Sequence, residues 1–271
     1  MPRRDPPVAP MAGMRSPKAG DAVIESLRRD ITSARLPLGS RLPNERELAA
    51  HYGVSQPTVR EAVRALEAMG LVQVRHGSGV FVRGDSDYLV ATALQILMQM
   101  KDVGLVDALD VRGALGLQSA RAAAKNATDA DLAALEDAFA VLGDAAKLRD
   151  FDSLIAAVTG FQVVLSRAGH NELTAAIENV LVSLIMHMQF KVLQRRGIRF
   201  WQQRTTEFQP DRRKILDAVR SHDSAAAVAA MSDYLEHQRR YFTEDPELAT
   251  LRLSDPEAVR IAADVEFRRD A

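Results

Sequence analysis

Gln56, Thr58, Arg60 and Arg64 share one short stretch with Val59, Val63 and Leu66, and at helical spacing the apolar three gather on one face. If that face is buried, two cations, an amide and a hydroxyl stay free to bond outward. These are the side-chain types that hydrogen-bond to base edges and phosphates of a DNA duplex. The flanking residues say what would hold them. Asn44 followed three residues later by Glu47 has the form of a helix-opening capping box, and the helix it opens carries Leu48 and Ala49 before stopping at Gly53. Ser55 caps the next helix, Pro57 is tolerated in its first turn, and Gly70 ends it. Leu71 to Arg75 and Val80 to Arg83 are β-prone runs joined by His76-Gly77-Ser78-Gly79, a hairpin turn. Helix, turn, helix and a two-stranded wing predict a winged helix-turn-helix, which presents its second helix to the major groove of DNA.

A second set of polar residues interrupts apolar helix faces further on. Gln162 shares a face with Val158 and Leu165, and Arg212 with Phe208, Ile215 and Val219. Tyr234 sits among Met231, Leu235 and Phe242, and Arg112 among Leu105, Leu109 and Leu115. His187 lies between Leu184 and Lys191 on the face of Leu173, Ile177 and Val180. Polar groups on buried faces are costly unless satisfied, so they should converge on each other or on a ligand. Arg112 and Arg212 in one cavity would make an anion site. Arg212 could hold a carboxylate with both arms while Gln162, Tyr234 and His187 add hydrogen bonds. The plainer alternatives are an edge arginine reaching solvent at 212 and a packed core histidine at 187. Asp233 and His237 have the i,i+4 spacing a metal can use, but with no further ligand candidates they are expected to form an exposed ion pair. His170 and His222 fall in loops and are given no role.

The elements that must position these residues follow from the rest of the chain. A length of 271 residues suits two domains. Hydrophobic content of 47% allows real cores, and no apolar run approaches the ~20 residues of a membrane span. Residues 1–18 are proline-rich and charged and are expected to be a disordered arm. With no cysteine there is no disulfide framework and no thiolate metal site, and a cytoplasmic protein is expected. Residues 1–84 hold 13 Lys and Arg against 8 Asp and Glu, and the remainder 22 against 28, a basic head beside an acidic body. Asp21 to Ser33 is predicted to be the first helix of the winged domain, residues 19–84, and Gly84 to Asp87 a linker. Beyond it the chain is all-helical, an antiparallel bundle over 88–243 with a charged tail over 244–271 that has room for one short helix before it frays. Helices are predicted at about 88–101, 105–125, 129–147, 151–168, 172–196, 205–221 and 224–242.

The runs LPNERELAA, GVSQPTVREAVRALEAMGLV and RHGSGVFV resemble the N-terminal domain of GntR-family bacterial regulators, without a gap from Asp21 to Val82. The second domain resembles the FCD domain, the helical effector-binding bundle of the FadR branch. That likeness rests on Asp110-Val111-Arg112, the segment ATDADLAAL, Phe161, AGHNEL and the run from Lys214 to Val219. The resemblance implies DNA contacts from Arg46, from Ser55, Gln56, Thr58 and Arg60 at the start of the second helix, and from His76 and Gly77 at the wing tip. Arg60 suits guanine O6 and N7, Arg46, Ser55 and Thr58 suit phosphate, and the wing suits the minor groove. Gln56 departs from the arginine common there, so one operator base should differ. Many FCD domains hold a divalent metal through one Asp and three His. Here those positions carry Val158, Gln162, Arg212 and Tyr234, so no metal cofactor is expected, and Arg212 would supply the positive charge instead.

The family also implies a homodimer on double-stranded operator DNA, because one short helix reads only a few base pairs. A ligand-responsive repressor of a catabolic operon is expected, released by a small organic or sugar acid and unattached to a membrane. The alternatives are a fatty-acyl-CoA-responsive regulator and a ligand-blind DNA-binding protein. The absence of cysteine, of a nucleotide-binding glycine-rich loop and of paired carboxylates in the bundle speaks against an enzyme.

Overall fold

The computed structural model describes residues 17–83 and 87–252, and the chain divides after Leu89 into two compact units. The arm before Pro17, most of the linker and the end of the tail lie outside the described residues. In the first unit α1 (Pro17–Thr32), α2 (Glu45–Tyr52) and α3 (Gln56–Ala68) precede a hairpin of β1 (Val72–Arg75) and β2 (Gly79–Val82). Both halves of the capping box are made: Asn44 Oδ1 accepts from the Glu47 N–H at 3.0 Å, and Glu47 Oε2 accepts from the Asn44 N–H at 2.9 Å. Gly53 ends α2 at φ 64°, and Gly70 follows α3 at φ 71°, left-handed values that glycine adopts without strain.

The core of this unit is Val23, Leu27, Leu42, Leu48, Val59, Leu66, Val72 and Val82, each 5% exposed or less. Burying each such side chain stabilises the fold by about 1.5–3 kcal/mol. The hairpin pairs Val72 with Val82 and Arg75 with Gly79. A third edge comes from the chain before α2, where Leu42 donates to Val80 and Val82 to Ser40, both at 2.8 Å. The wing is thereby tied to the helix-turn-helix and not left as a free hairpin.

The second unit is helical throughout its described residues: α4 (Asp87–Met100), α5 (Leu105–Asn126), α6 (Asp129–Gly143), α7 (Phe151–Arg167), α8 (Glu172–Val192), α9 (Gly197–Glu207), α10 (Gln209–Arg220), α11 (Ser224–Glu244) and α12 (Pro246–Ala249). α5 runs through the middle and packs on α7, α8, α10 and α11. Its Ala120, Ala123 and Ala124 are completely buried and let these helices approach closely. At Gly169, after α7, a Cβ would come 2.9 Å from that of Ala122, so glycine is needed for the approach. Asn44, Ser55, Thr128, Asp150, Asn171, Asp223 and Asp245 each cap a helix through the side chain, which explains why the breaks were visible in sequence.

Two expectations need correction. The helix expected over 205–221 is two helices with a break at Phe208, because Pro210 has no N–H to continue α9 and instead sits in the first turn of α10. Residues 197–204 belong to α9, which was not expected. The tail holds the one short helix its sequence leaves room for, α12, and Leu105 donates to Leu251 at 3.0 Å, holding the segment against the start of α5. In addition, α8 is long and apolar enough to span a membrane by composition, yet 72% of its apolar window is buried inside the bundle, as a core helix requires.

Candidate functional site

The outward face of the helix-turn-helix carries the predicted DNA residues. Ser55, Gln56 and Arg60 are exposed at the start of α3, and Arg46 is exposed in the first turn of α2. Ser55 Oγ accepts from the Thr58 N–H at 3.3 Å and lies 2.9 Å from Thr58 Oγ1, so capping pins both hydroxyls at the helix start. Arg60 is held across the turn by Glu45, with Nε 3.2 Å from both carboxylate oxygens and Nη2 3.0 Å from Oε2. That carboxylate holds the Arg60 pKa above its ordinary value. His76 and Gly77 are exposed at the wing tip.

Two arginines that the sequence reading passed over join this face. A cleft of about 420 Å³ separates the wing from the start of α2 and is lined by Arg41, Asn44, Glu45, Arg75, His76 and Gly77, among others. Arg41 lies over the wing so closely that a Cβ on Gly79 would come 2.8 Å from its Nε. Arg75 sits 4.8 Å from the centroid of Phe81 on the paired strand. Their signal in sequence was the wing pairing itself, since Arg75 opposes Gly79, and Arg41 bridges to Phe81.

Inside the bundle, Arg112, Gln162, Arg212 and Tyr234 are all buried, at 2% exposure or less. Arg112 from α5 and Arg212 from α10 approach the Tyr234 ring of α11, at 5.7 and 5.8 Å from its centroid. Arg112 donates to Gln238 Oε1, and Gln238 Nε2 donates in turn to the Tyr234 hydroxyl at 3.3 Å. Arg212 Nη1 donates to the Thr205 carbonyl at 2.9 Å. Several buried polar atoms have no partner: Arg112 Nη2, Arg212 Nε, and both Gln162 Nε2 and Oε1. Burial lowers the Arg212 pKa, against the Tyr234 hydroxyl, which raises it, while Arg112 repels the charge further. Arg212 is thus buried, as its helix face requires, and the alternative that it reaches solvent is not met.

A small cavity of about 20 Å³ adjoins this cluster and is lined by Val158, Gln189, Trp201, Arg204, Arg212 and Gln238, among others, while Arg112, Gln162 and Tyr234 stand behind its wall. It has room for about one water. His187 does not line it. Its Nδ1 lies 2.7 Å from the Ser183 carbonyl, and the ring is half-buried one position past Met186, which does line it. Gln189, Arg204, Gln238 and Glu178 went unread in the sequence. Glu178 and Gln189, eleven apart on the apolar α8, share a face and were the available signal. Glu178 is 1% exposed, accepts from Ser119 Oγ and faces the charge of Arg112, but burial dominates and raises its pKa.

Other sequence pairings differ in the fold. His237 pairs with Asp211 at 2.8 Å and not with Asp233, because α10 packs beside α11. His170 lies 2.9 Å from Asp131, and His222 Nδ1 lies 2.9 Å from the Ala124 carbonyl, so both loop histidines are tied to the fold.

Comparison with known proteins bears on both sites. Residues 19–82 match the profile of bacterial regulatory proteins of the gntR family, and residues 107–237 match the FCD domain. The chain is 30% identical over 207 residues to the HTH-type transcriptional regulator LutR of Bacillus subtilis (strain 168), covering 76% of this chain and 92% of that relative. This chain belongs to the GntR family. It is 29% identical over 224 residues to the HTH-type transcriptional repressor NanR of Edwardsiella tarda, covering 80% of this chain and 83% of NanR. The Uxu operon regulator of Haemophilus influenzae is 28% identical over 221 residues, 78% of this chain and 77% of that relative. A solved Streptococcus agalactiae GntR structure superposes with a TM-score of 0.63 at 25% identity, over 82% of this chain and 99% of that one.

The protein is therefore a GntR-family transcription regulator, not an enzyme, with a winged helix-turn-helix that binds DNA and an FCD domain that takes a small-molecule effector. Val158, Gln162, Arg212 and Tyr234 do not make a donor set for a divalent metal. Valine has no donor atom, the guanidinium is cationic, and the tyrosine hydroxyl already accepts from Gln238. Among the described residues no three of His, Asp and Glu come together as metal ligands.

Proposed function

We propose that this GntR regulator represses a catabolic operon as a cytoplasmic homodimer and is released by a small organic or sugar acid. The observation that carries this is the set of partnerless donors on buried cations. Arg112 Nη2 and Arg212 Nε sit in a water-poor interior with no carboxylate bonded to either. A ligand carboxylate there would accept charge-assisted hydrogen bonds from both, with the Gln162 amide supplying another donor. On this account Arg212 takes the place of a metal, and no metal cofactor is needed. The small, donor-lined cavity favours a small acid over an acyl chain. His187, outside the cavity, would support α8 instead of touching the ligand.

DNA reading would follow the exposed face: Arg60, oriented by Glu45, on a guanine; Gln56 on an adenine; Arg46, Ser55 and Thr58 on phosphate; and the wing tip at His76 and Gly77 along the minor groove. Two winged domains on a palindrome require a dimer. Repression is assigned by likeness to the relatives named repressor and operon regulator. Release requires only that the acid bind the DNA-competent and DNA-incompetent states unequally.

The test is thermal unfolding of the purified protein with lactate, gluconate, zinc or nickel. A carboxylate at about a hundred times its Kd should add about 2.7 kcal/mol, roughly 5–10 °C for a protein of this size. Stabilisation by zinc or nickel alone would contradict the arginine site.

A further inference from the structure

The cavity that takes Arg212 also takes a second guanidinium that the proposed function leaves unused. Arg204 projects from α9, is 6% exposed, and has a buried Nη1 with no hydrogen-bond partner. It lines the same small cavity as Arg212, and Arg212 itself is bonded to the carbonyl of Thr205, the next residue. The two carboxylates that act on its charge are Asp245 and Glu207, and Asp245 is bonded to Arg196 at 2.7 Å. Instead of a carboxylate, Arg204 has aromatic rings: its guanidinium carbon lies 3.2 Å from the centroid of Tyr241 and 5.2 Å from that of Trp201. Burial lowers its pKa to about 10, which still leaves it charged at neutral pH. Two further lining groups are buried without partners, Trp201 Nε1 and Gln189 Oε1.

A single carboxylate bound at Arg212 leaves Arg204 with no carboxylate bonded to it in a low-dielectric site. Resting on the reading that Arg212 binds an acid, we propose that Arg204 is a second anion subsite and that the effector is a small dianion, a dicarboxylate with one end on each arginine. Trp201 Nε1 then donates to the end held by Arg204. A cavity of about 20 Å³ is too small for such a molecule, so its walls must part on binding. α9 carries three of the lining residues, Trp201, Arg204 and Thr205, between Gly197 at φ 77° and the break at Phe208. Trp201 is the only tryptophan in the chain and is stacked on Phe190 at 3.8 Å, so its fluorescence reports the opening directly.

The experiment titrates the full-length protein with succinate and malate against butyrate and lactate, following tryptophan fluorescence. Each dicarboxylate should bind about tenfold to a hundredfold more tightly than its monocarboxylate counterpart, the worth of one charge-assisted pair. Arg204→Gln should bring that ratio to within about twofold by weakening only the dicarboxylates, while Arg212→Gln weakens both classes. If no carboxylate binds at all, the acid-responsive reading fails and this inference with it. If both classes bind the wild type equally, or if Arg204→Gln weakens both equally, the dianion subsite is overturned while the acid site survives. The wild-type series needs no variant and decides the matter even if Arg204→Gln does not fold.

Discussion

Replacing Arg212 with methionine should make the protein more stable and deaf to effector. The side chain is 2% exposed, has one buried nitrogen without a partner and is repelled by Arg112. Desolvating such an ion opposes folding by several kcal/mol. Against this stand the hydrogen bond from Nη1 to the Thr205 carbonyl at 2.9 Å, about 1.5–3 kcal/mol for a charged donor, and the weaker support of Gln209 Oε1 and the Tyr234 hydroxyl. Methionine keeps the volume and the unbranched reach, so no large cavity opens. The balance favours the variant by about 1–2 kcal/mol, or roughly 2–8 °C in Tm. The assay is reversible thermal unfolding without ligand, monitored by circular dichroism at pH 7. A loss of about 1 kcal/mol or more would refute the reasoning, because it would mean that Arg212 is already fully compensated in the ligand-free fold. This is the expected behaviour of a site kept for function at the expense of stability.

Three further outcomes follow from particular contacts. Arg60→Ala should weaken operator binding by about 1–3 kcal/mol and relax preference at one guanine, read by competition among single-base operator variants; equal losses on all sequences would make Arg60 a phosphate contact only. Gly79→Ala should destabilise the winged domain by at least about 1 kcal/mol in urea unfolding, because residue 79 has φ 112° and its Cβ would meet Arg41 at 2.8 Å. Glu178 has a raised pKa because burial favours its neutral form, so the folded state holds its proton to higher pH than the unfolded chain does. Stability should fall as pH rises above the ordinary glutamate value of 4.5, and Glu178→Gln should flatten that fall; an unchanged pH profile in the variant would show that Arg112 compensates the carboxylate fully.

How much of this was legible in the sequence depended on how local the determining contacts are. The winged domain was readable because its signals act within a few residues: the Asn44–Glu47 box, the Ser55 cap, the glycines at 53 and 70, and the hairpin at Gly77 and Gly79. What escaped there were contacts made across the fold, the clamp of Glu45 on Arg60 and the position of Arg41 over the wing. In the bundle, helical spacing placed Arg112, Gln162, Arg212 and Tyr234 on buried faces, and the fold buries all four. Spacing could not say which neighbours those faces would meet. His237 found Asp211 on another helix, and His187 turned to its own helix backbone. α9 was missed because Gly197 and the polar-aromatic mixture after it carry no clear period, and Arg204 was missed with it.

The most direct test of the whole account measures operator affinity with and without carboxylate for the wild type and for Arg212→Met. It would use fluorescence anisotropy on a duplex selected from random sequence by the full-length protein. The account predicts that malate lowers wild-type affinity about tenfold or more, and that the ratio of affinities with and without malate stays within about twofold of one in the variant. Equal release of wild type and variant would contradict it.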